Sequence, residues 1–485
     1  MSRILEKITP ERVFYYFEDL TRIPRCSGEE QNVSNYLLNF AKEHNLEVIQ
    51  DKALNIIIKK PGTKGYENAP TVVLQGHMDM VCEKDADVEH DFSKDPIKLQ
   101  IDGDYIKGTG TTLGADNGIA VAMCLAILDS KDIPHPPLEV LATTSEETGM
   151  DGANALNPKD IGGEILINID SEEEGKLLVS CAGGERDRVE IPIIWEKSDE
   201  NKAPYIIEIT GLQGGHSGME IDEGRGNGNK LMGRLLYELR KKIDFNLAEI
   251  EGGAKTNAIP RSGKALVTIN EDSKEIFEKI IKDMEKTFKN EFKLTDKNIR
   301  IEMKKSELNI NKVFSDDTTK KIIGTLILMP NSVQTMSREI EGLVESSNNL
   351  GIVKTLENVV IFESSIRSSV RSLRKDIANQ MAIIADMLGG NWESYASYPE
   401  WEYEEDSYIR KVFQRVYKEK FGKELEIAAI HAGLECGLFK AKFKEMDMVS
   451  FGPNMYGVHT PEEKLSISST KKTWELLLGV LEEIK

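Results

Sequence analysis

Thr71-Val72-Val73-Leu74-Gln75-Gly76-His77-Met78-Asp79 is a mostly apolar run that ends in a glycine and then presents an imidazole and, two residues on, a carboxylate. A short run with little alternation suits a strand buried on both faces, as in the sheets of α/β proteins. In open α/β sheets, ligands bind beyond the carboxyl ends of the strands, which is where His77 and Asp79 would stand. Alternation along an extended segment points residues 77 and 79 the same way. Asp79 can then accept the second ring N–H of His77, fixing its tautomer and raising its basicity.

The same pattern recurs further along the chain. Gly114-Ala115-Asp116-Asn117-Gly118 comes just before an apolar helix expected over 119–128. Strand Leu138–Thr143 runs into Ser145-Glu146-Glu147-Thr148-Gly149, and strand Glu164–Ile169 into Asp170-Ser171. Near the C-terminus, strand Met448–Phe451 leads to Gly457-Val458-His459-Thr460. Taken singly, these residues read as a surface histidine, a turn or solvated charge. In order, each at a strand end, they converge on one rim. Imidazole nitrogen and carboxylate oxygen suit zinc and similar divalent ions, and a catalytic site keeps one position open for water. Two neighbouring ions need a shared carboxylate, and Asp116 is the natural bridge in a set of His77, Asp116, Glu147, Asp170 and His459. Glu146 and Glu147, being adjacent, point apart, so one can bind metal while the other serves as a general base.

The 485 residues exceed what one core usually organises, so two domains are expected. Segments 1–185 and 403–485 share the alternating helix and strand style of an α/β fold, whereas 186–402 carries longer amphipathic helices and alternating strands. This predicts a domain inserted into another. Within the insertion, helix 228–242, strands 247–253 and 264–270 and helix 273–291 form one α-β-β-α unit. Helix 315–329, strands 342–348 and 358–367 and helix 373–389 form a second.

A formal net charge of −20 argues against nucleic acid as a partner, and the absence of a long apolar run argues against a membrane span. The first residues hold an early acidic residue and no apolar core, unlike a signal peptide. Five scattered cysteines, Cys26, Cys82, Cys124, Cys181 and Cys436, without a CxxC pair, lead us to expect free, mostly buried thiols and a cytoplasmic location. The run Gly108-Thr109-Gly110-Thr111-Thr112-Leu113 imitates a dinucleotide fingerprint but has Leu113 where the third glycine would be, and no helix starts there.

Gly-His-Met-Asp-Met-Val (76–81), Gly-Ala-Asp-Asn-Gly (114–118), Thr-Ser-Glu-Glu-Thr-Gly (144–149), Ile-Asp-Ser (169–171) and Gly-Gly-His-Ser-Gly (214–218) together resemble the M20 metallopeptidase family. Ser-Cys-Ala-Gly-Gly (180–184), His431-Ala-Gly-Leu-Glu435-Cys-Gly and the 452–461 segment are similar to its aminoacyl-histidine (Xaa-His, PepD-type) dipeptidase branch. The resemblance implies a mixed-sheet zinc-peptidase catalytic domain with an inserted α+β lid domain, and two divalent ions, zinc with cobalt or manganese as substitutes. His77 and Asp170 would complete one ion's shell, Glu147 and His459 the other's, with Asp116 between them and its bond to Asn117 cis. Asp79 would orient His77.

The implied reaction is hydrolysis of Xaa-His and similar dipeptides, β-alanyl-histidine included, by a hydroxide held between the ions, with Glu146 as the base. His216 would steady the oxyanion. Asn257 and Arg367 would hold the substrate's backbone or carboxylate, and Glu435 would lie near the metal or the substrate amine. The lid is long for the family. His216 therefore has two routes, acting within its own chain or from the partner in a homodimer formed through the lid. Other substrate classes of the same family are N-acyl-amino acids and tripeptides. A non-catalytic binding protein on the same fold would have no need of Glu146.

Overall fold

The computed structural model describes residues 3–485. Its chain forms two compact units. The first runs to Ser180 and adds Tyr403–Ala429 and Leu434–Lys485; the second is Cys181–Glu402 with the short return Ile430–Gly433. The change of unit falls a few residues before position 186 because Gly183–Pro192 is already a strand of the second unit's sheet.

In the first unit, eight strands are ordered Glu47–Gln50, Ile56–Lys60, Leu138–Thr143, Val72–His77, Ile165–Asn168, Asp447–Ser450, Lys176–Cys181 and Glu426–Ile430. The four in the middle, from Leu138–Thr143 to Asp447–Ser450, are mutually parallel. Antiparallel neighbours flank them, so the sheet is mixed. Val72, Val73 and Leu74 are fully buried, as are Leu166 and Ile167 or nearly so, because helices cover the faces on which parallel strands depend. One of these helices, Ala115–Asp129, is buried along almost its whole length. It starts earlier than its apolar run, at the Asp116-Asn117 segment, where the peptide bond is cis.

The second unit is built on a nine-stranded sheet whose pairings are antiparallel. Helix Gly228–Arg240, the paired strands Phe245–Gly252 and Gly263–Asn270, and helix Lys274–Glu291 follow one another. Helix Asp316–Leu328, strands Val344–Thr355 and Val359–Ser368, and helix Arg371–Met387 repeat the order. The two hairpins join where Glu251 and Gly252 pair with Lys354 and Val353. A large apolar core, including Leu235, Leu247, Val267, Phe277, Leu326, Phe362 and Met381, lies between this sheet and the helices.

The cysteines correct one expectation. Cys26 and Cys82 form a disulfide, with their Cα atoms 5.7 Å apart. Fifty-six positions separate them, so spacing carried no hint; the pairing arises because Cys26 lies beside Met80 in a short parallel bridge. Cys124, Cys181 and Cys436 are buried outside that bond. Among the described residues, no helix is long and apolar enough to cross a membrane.

Candidate active site

Each central parallel strand of the first unit ends at a polar group, and the strand order makes these groups neighbours. Strand Val72–His77 delivers His77. Gly76 is needed just before it, since a Cβ there would collide with Asn117 and Ala120 of the adjacent helix. Asn117 uses that proximity. Its side-chain oxygen accepts the His77 N–H and its amide donates to the Ile169 carbonyl, tying three segments together.

Oxygens and nitrogens of His77, Asp116 and Asp170 lie within 4.8 Å of one another, as do those of Asp116, Glu147 and His459, so Asp116 belongs to both groups. His77 Nε2 is 3.1 Å from Asp116 and 3.5 Å from Asp170. His459 Nε2 is 3.2 Å from Asp116 and 2.8 Å from Glu147. One Asp170 oxygen is buried without a hydrogen-bond partner. Burying several carboxylates together is costly unless a cation offsets them, and an orphaned oxygen in such a group asks for one. The donor set of two imidazoles and three carboxylates, sharing one carboxylate, fits two divalent ions.

The charge environment is reflected in the titration of His77, His459, Asp170 and Asp116. Desolvation opposes a charge on His77, yet Asp170, Asp116 and Asp79 hold its pKa well above the usual histidine value. His459 is pushed up to about 11 by its hydrogen bonds to Asp116 and Glu147. Burial pushes Asp170 up to about 6 against the pull of His77. Asp116 is held well below the carboxylate range, burial being outweighed by His459 and His77.

Asp79 faces His77 Nδ1 at 3.2 Å, an ion-pair distance, although the ring nitrogen is not aligned as a hydrogen-bond donor. Its carboxylate also accepts the backbone N–H groups of Glu146 and Glu147 and the Ser27 hydroxyl. Ser145, just before them, adopts a left-handed conformation (φ 53°) that turns the chain sharply at the strand end. Its N–H and hydroxyl are both held by Glu30. Burial and the carboxylates Asp170, Glu435 and Glu147 raise Glu146 well above its ordinary value, with His77 opposing. A carboxyl tuned upward in this way is suited to proton exchange near neutral pH.

Glu435 lies close enough to the candidate donor set for His77 and Asp170 to act on its charge. It is 0% exposed, accepting hydrogen bonds from Gln75 (2.6 Å) and Thr143 (2.9 Å) beneath the strand ends. Burial moves it up to about 8.

In the second unit, His216 and Asn257 line one cavity of about 990 Å³, together with Arg261, Lys255 and Lys354. His216 Nδ1 accepts the N–H groups of Gly218 and Met219. Burial and Arg367 lower its pKa, so the ring is neutral and Nε2 carries the proton, a donor. Arg367 is not in the cavity wall. It is buried, donates to the Tyr398 hydroxyl at 2.8 Å, and keeps a buried Nε without a partner. A Cβ on Gly218 would press on His216, Arg367 and the His431 carbonyl alike, so this glycine lets the three approach. His431 bonds Ser347 at 2.7 Å and is driven down to about 3 by burial and the Arg367 charge.

Residues 73–483 match Peptidase family M20/M25/M40. The chain therefore belongs to this family of peptidases and is a hydrolase of that class. It is 38% identical over 487 residues to the cytosol non-specific dipeptidase of Escherichia coli (strain K12), covering 99% of each chain. It is similar to the crystal structure of aminoacylhistidine dipeptidase from Vibrio alginolyticus, with a TM-score of 0.95 and 38% identity over 100% of this chain and 98% of that one. Aminopeptidase PepT from Bacillus cereus ATCC 10987 shares the fold at 17% identity and a TM-score of 0.58, over 98% and 99% of the two chains.

Sequence reading did not find Arg25, Glu463, Tyr398 or the part played by His431. Arg25 and Glu463 are charges in loops, and only their near-complete burial distinguishes them.

Proposed function

We propose that this protein is a cytoplasmic two-metal dipeptidase that cleaves Xaa-His and similar dipeptides, β-alanyl-histidine among them. The observation that carries the reading is the pair of donor groups sharing Asp116. His77 and Asp170 would hold one ion, Glu147 and His459 the other, and Asp116 would serve both. Nitrogen and carboxylate donors suit zinc, with cobalt or manganese able to replace it. The ions would supply Lewis acidity toward the scissile carbonyl and make a water acidic enough to attack near neutral pH.

The chain's own groups do the rest. Glu146 accepts the proton of the attacking water and returns it to the leaving amine, which its raised pKa favours. Asp79 holds the orientation of His77 and, through two backbone N–H groups, the turn that carries Glu146. His216 offers a neutral Nε2–H to the developing oxyanion. Arg367 receives the substrate's carboxylate with its planar fork, and Asn257 holds the peptide backbone. Glu435, having no exposed surface, acts from beneath through Gln75 and Thr143. Assembly as a homodimer through the second unit remains part of the reading.

The names of the two relatives frame the specificity question, one non-specific and one aminoacylhistidine. The test is a panel of Xaa-His and Xaa-Xaa dipeptides, tripeptides and N-acylated amino acids, run before and after chelation. Dipeptide cleavage lost in chelator and restored by zinc, cobalt or manganese is expected, with the histidine dipeptides fastest. Undiminished turnover in chelator, or a preference for acylated or three-residue substrates, would overturn the proposal.

A further inference from the structure

We propose that Glu463 is a positioning residue that holds Asp116 and His459 in register as donors to the same ion. The proposal rests on the two-metal reading above. Glu463 is 2% exposed and accepts four consecutive backbone N–H groups, from Leu113 (2.7 Å), Gly114 (3.0 Å), Ala115 (2.8 Å) and Asp116 (3.3 Å). Amides converging on one carboxylate make short, charge-assisted bonds, so the loop that ends in Asp116 is clasped from one side.

Glu463 is also four residues beyond His459, across two successive turns that share Thr460, closed by Thr460 N–H to the Gly457 carbonyl and Glu463 N–H to the Thr460 carbonyl. Clasping the Asp116 loop therefore also fixes the base of the His459 loop, although the two are 343 positions apart. His459 needs such support. Its side chain is half exposed, and its backbone is left-handed at φ 64°, a conformation that a non-glycine residue keeps only when its surroundings impose it.

Arg25 completes the clasp from the opposite charge. Its buried guanidinium donates to the Gly114 carbonyl and, at 3.0 Å each, to the carbonyls of Met78 and Asp79, so the turn after His77 is tied to the same loop. Gly114 has φ 70°, and a Cβ there would collide with Arg25 and Met80. An anion thus holds the loop's amides and a cation its carbonyl, and the three ligand-bearing segments are tied to one another. Neither charge touches the donor atoms.

The test is cobalt(II) titration of the metal-free full-length chain, followed by the d–d absorption of the bound ion and by calorimetry, on the unaltered protein, Glu463→Gln, Glu463→Asp and Asp447→Asn. Glutamine keeps the size but turns a donor toward the N–H groups; aspartate keeps the charge but withdraws it. Asp447 accepts the Ser407 hydroxyl and the Ile409 N–H away from the donors, and serves as the structural control. We expect Glu463→Gln to weaken one of two cobalt sites by about 10–100-fold and alter its absorption, with circular dichroism of the metal-free chain unchanged. Glu463→Asp should fall between, and Asp447→Asn should lower the melting temperature with cobalt affinity intact. Unaltered cobalt binding by folded Glu463→Gln overturns the proposal, as does a failure of both Glu463 variants to fold. If the unaltered protein binds no pair of cobalt ions, the two-metal reading itself fails.

Discussion

Both units bring histidines to their candidate functional groups, and they treat them in opposite ways. In the first unit, carboxylates surround His77 and His459 and draw both toward the charged form. In the second, burial and the Arg367 cation drive His216 and His431 toward the neutral form. The side chain is the same; the sign of the neighbours decides its chemistry. An imidazole among carboxylates is a seat for a cation, whereas a neutral imidazole beside a guanidinium is a donor toward an anion.

The largest effect that would probe this contrast is expected from Glu146→Gln. Removing the proton carrier while leaving the ligands should lower kcat by roughly 10²–10⁴-fold with metal affinity preserved, read by steady-state kinetics beside a metal titration. If metal binding falls instead, Glu146 belongs with the ligands. Next comes His216→Ala, expected to reduce kcat by about 10²–10³-fold with no change in metal content. A loss confined to KM would reassign His216 to substrate binding.

His431 sharpens the contrast through stability. Its folded-state pKa is about 3, against an unfolded value near the ordinary 6.5. A depressed pKa contributes stability that is complete above the unfolded value, and it is lost as pH falls from about 6.5 toward 3. The full loss is on the order of a few kcal/mol. Denaturant unfolding of the second unit's transition across that window should show the slope, and His431→Gln should flatten it. A slope unchanged in the variant would locate the proton uptake elsewhere. The smallest effect concerns the first unit alone. Reducing the Cys26–Cys82 bond should lower that unit's unfolding free energy by roughly 2–4 kcal/mol and leave the other unit's transition in place.

Much of this was legible along the chain. Leu138–Thr143 appears at the expected residues, several other strands differ by a residue or two at their ends, and Val344–Thr355 runs seven residues past the expected 342–348. Apolar runs bounded by glycine and polar residues report burial, which is a local property. The five candidate ligands could be chosen because each sits in a short polar segment beside an apolar strand or helix, a pattern that repeats in the sequence. The Asp116 helix was placed late because its first turn is polar, and polarity there reads as a turn. Arg25 and Glu463 lacked any local mark, since a charge in a loop is ordinarily solvated.

Strand periodicity and the order of the motifs pointed to an α/β sheet, to an inserted segment with a repeated helix-hairpin-helix plan and to residues with metal-binding chemistry, while the mixed character of the sheet was implied by the family resemblance. These are properties of short segments, where each residue's character reflects its own surroundings. The shared position of Asp116, the clasp by Glu463 and Arg25, the Cys26–Cys82 bond and the complete burial of Glu435 depend on which distant segments become neighbours. Those relations follow from strand order and loop packing, which couple residues hundreds of positions apart and leave no periodic trace in either partner.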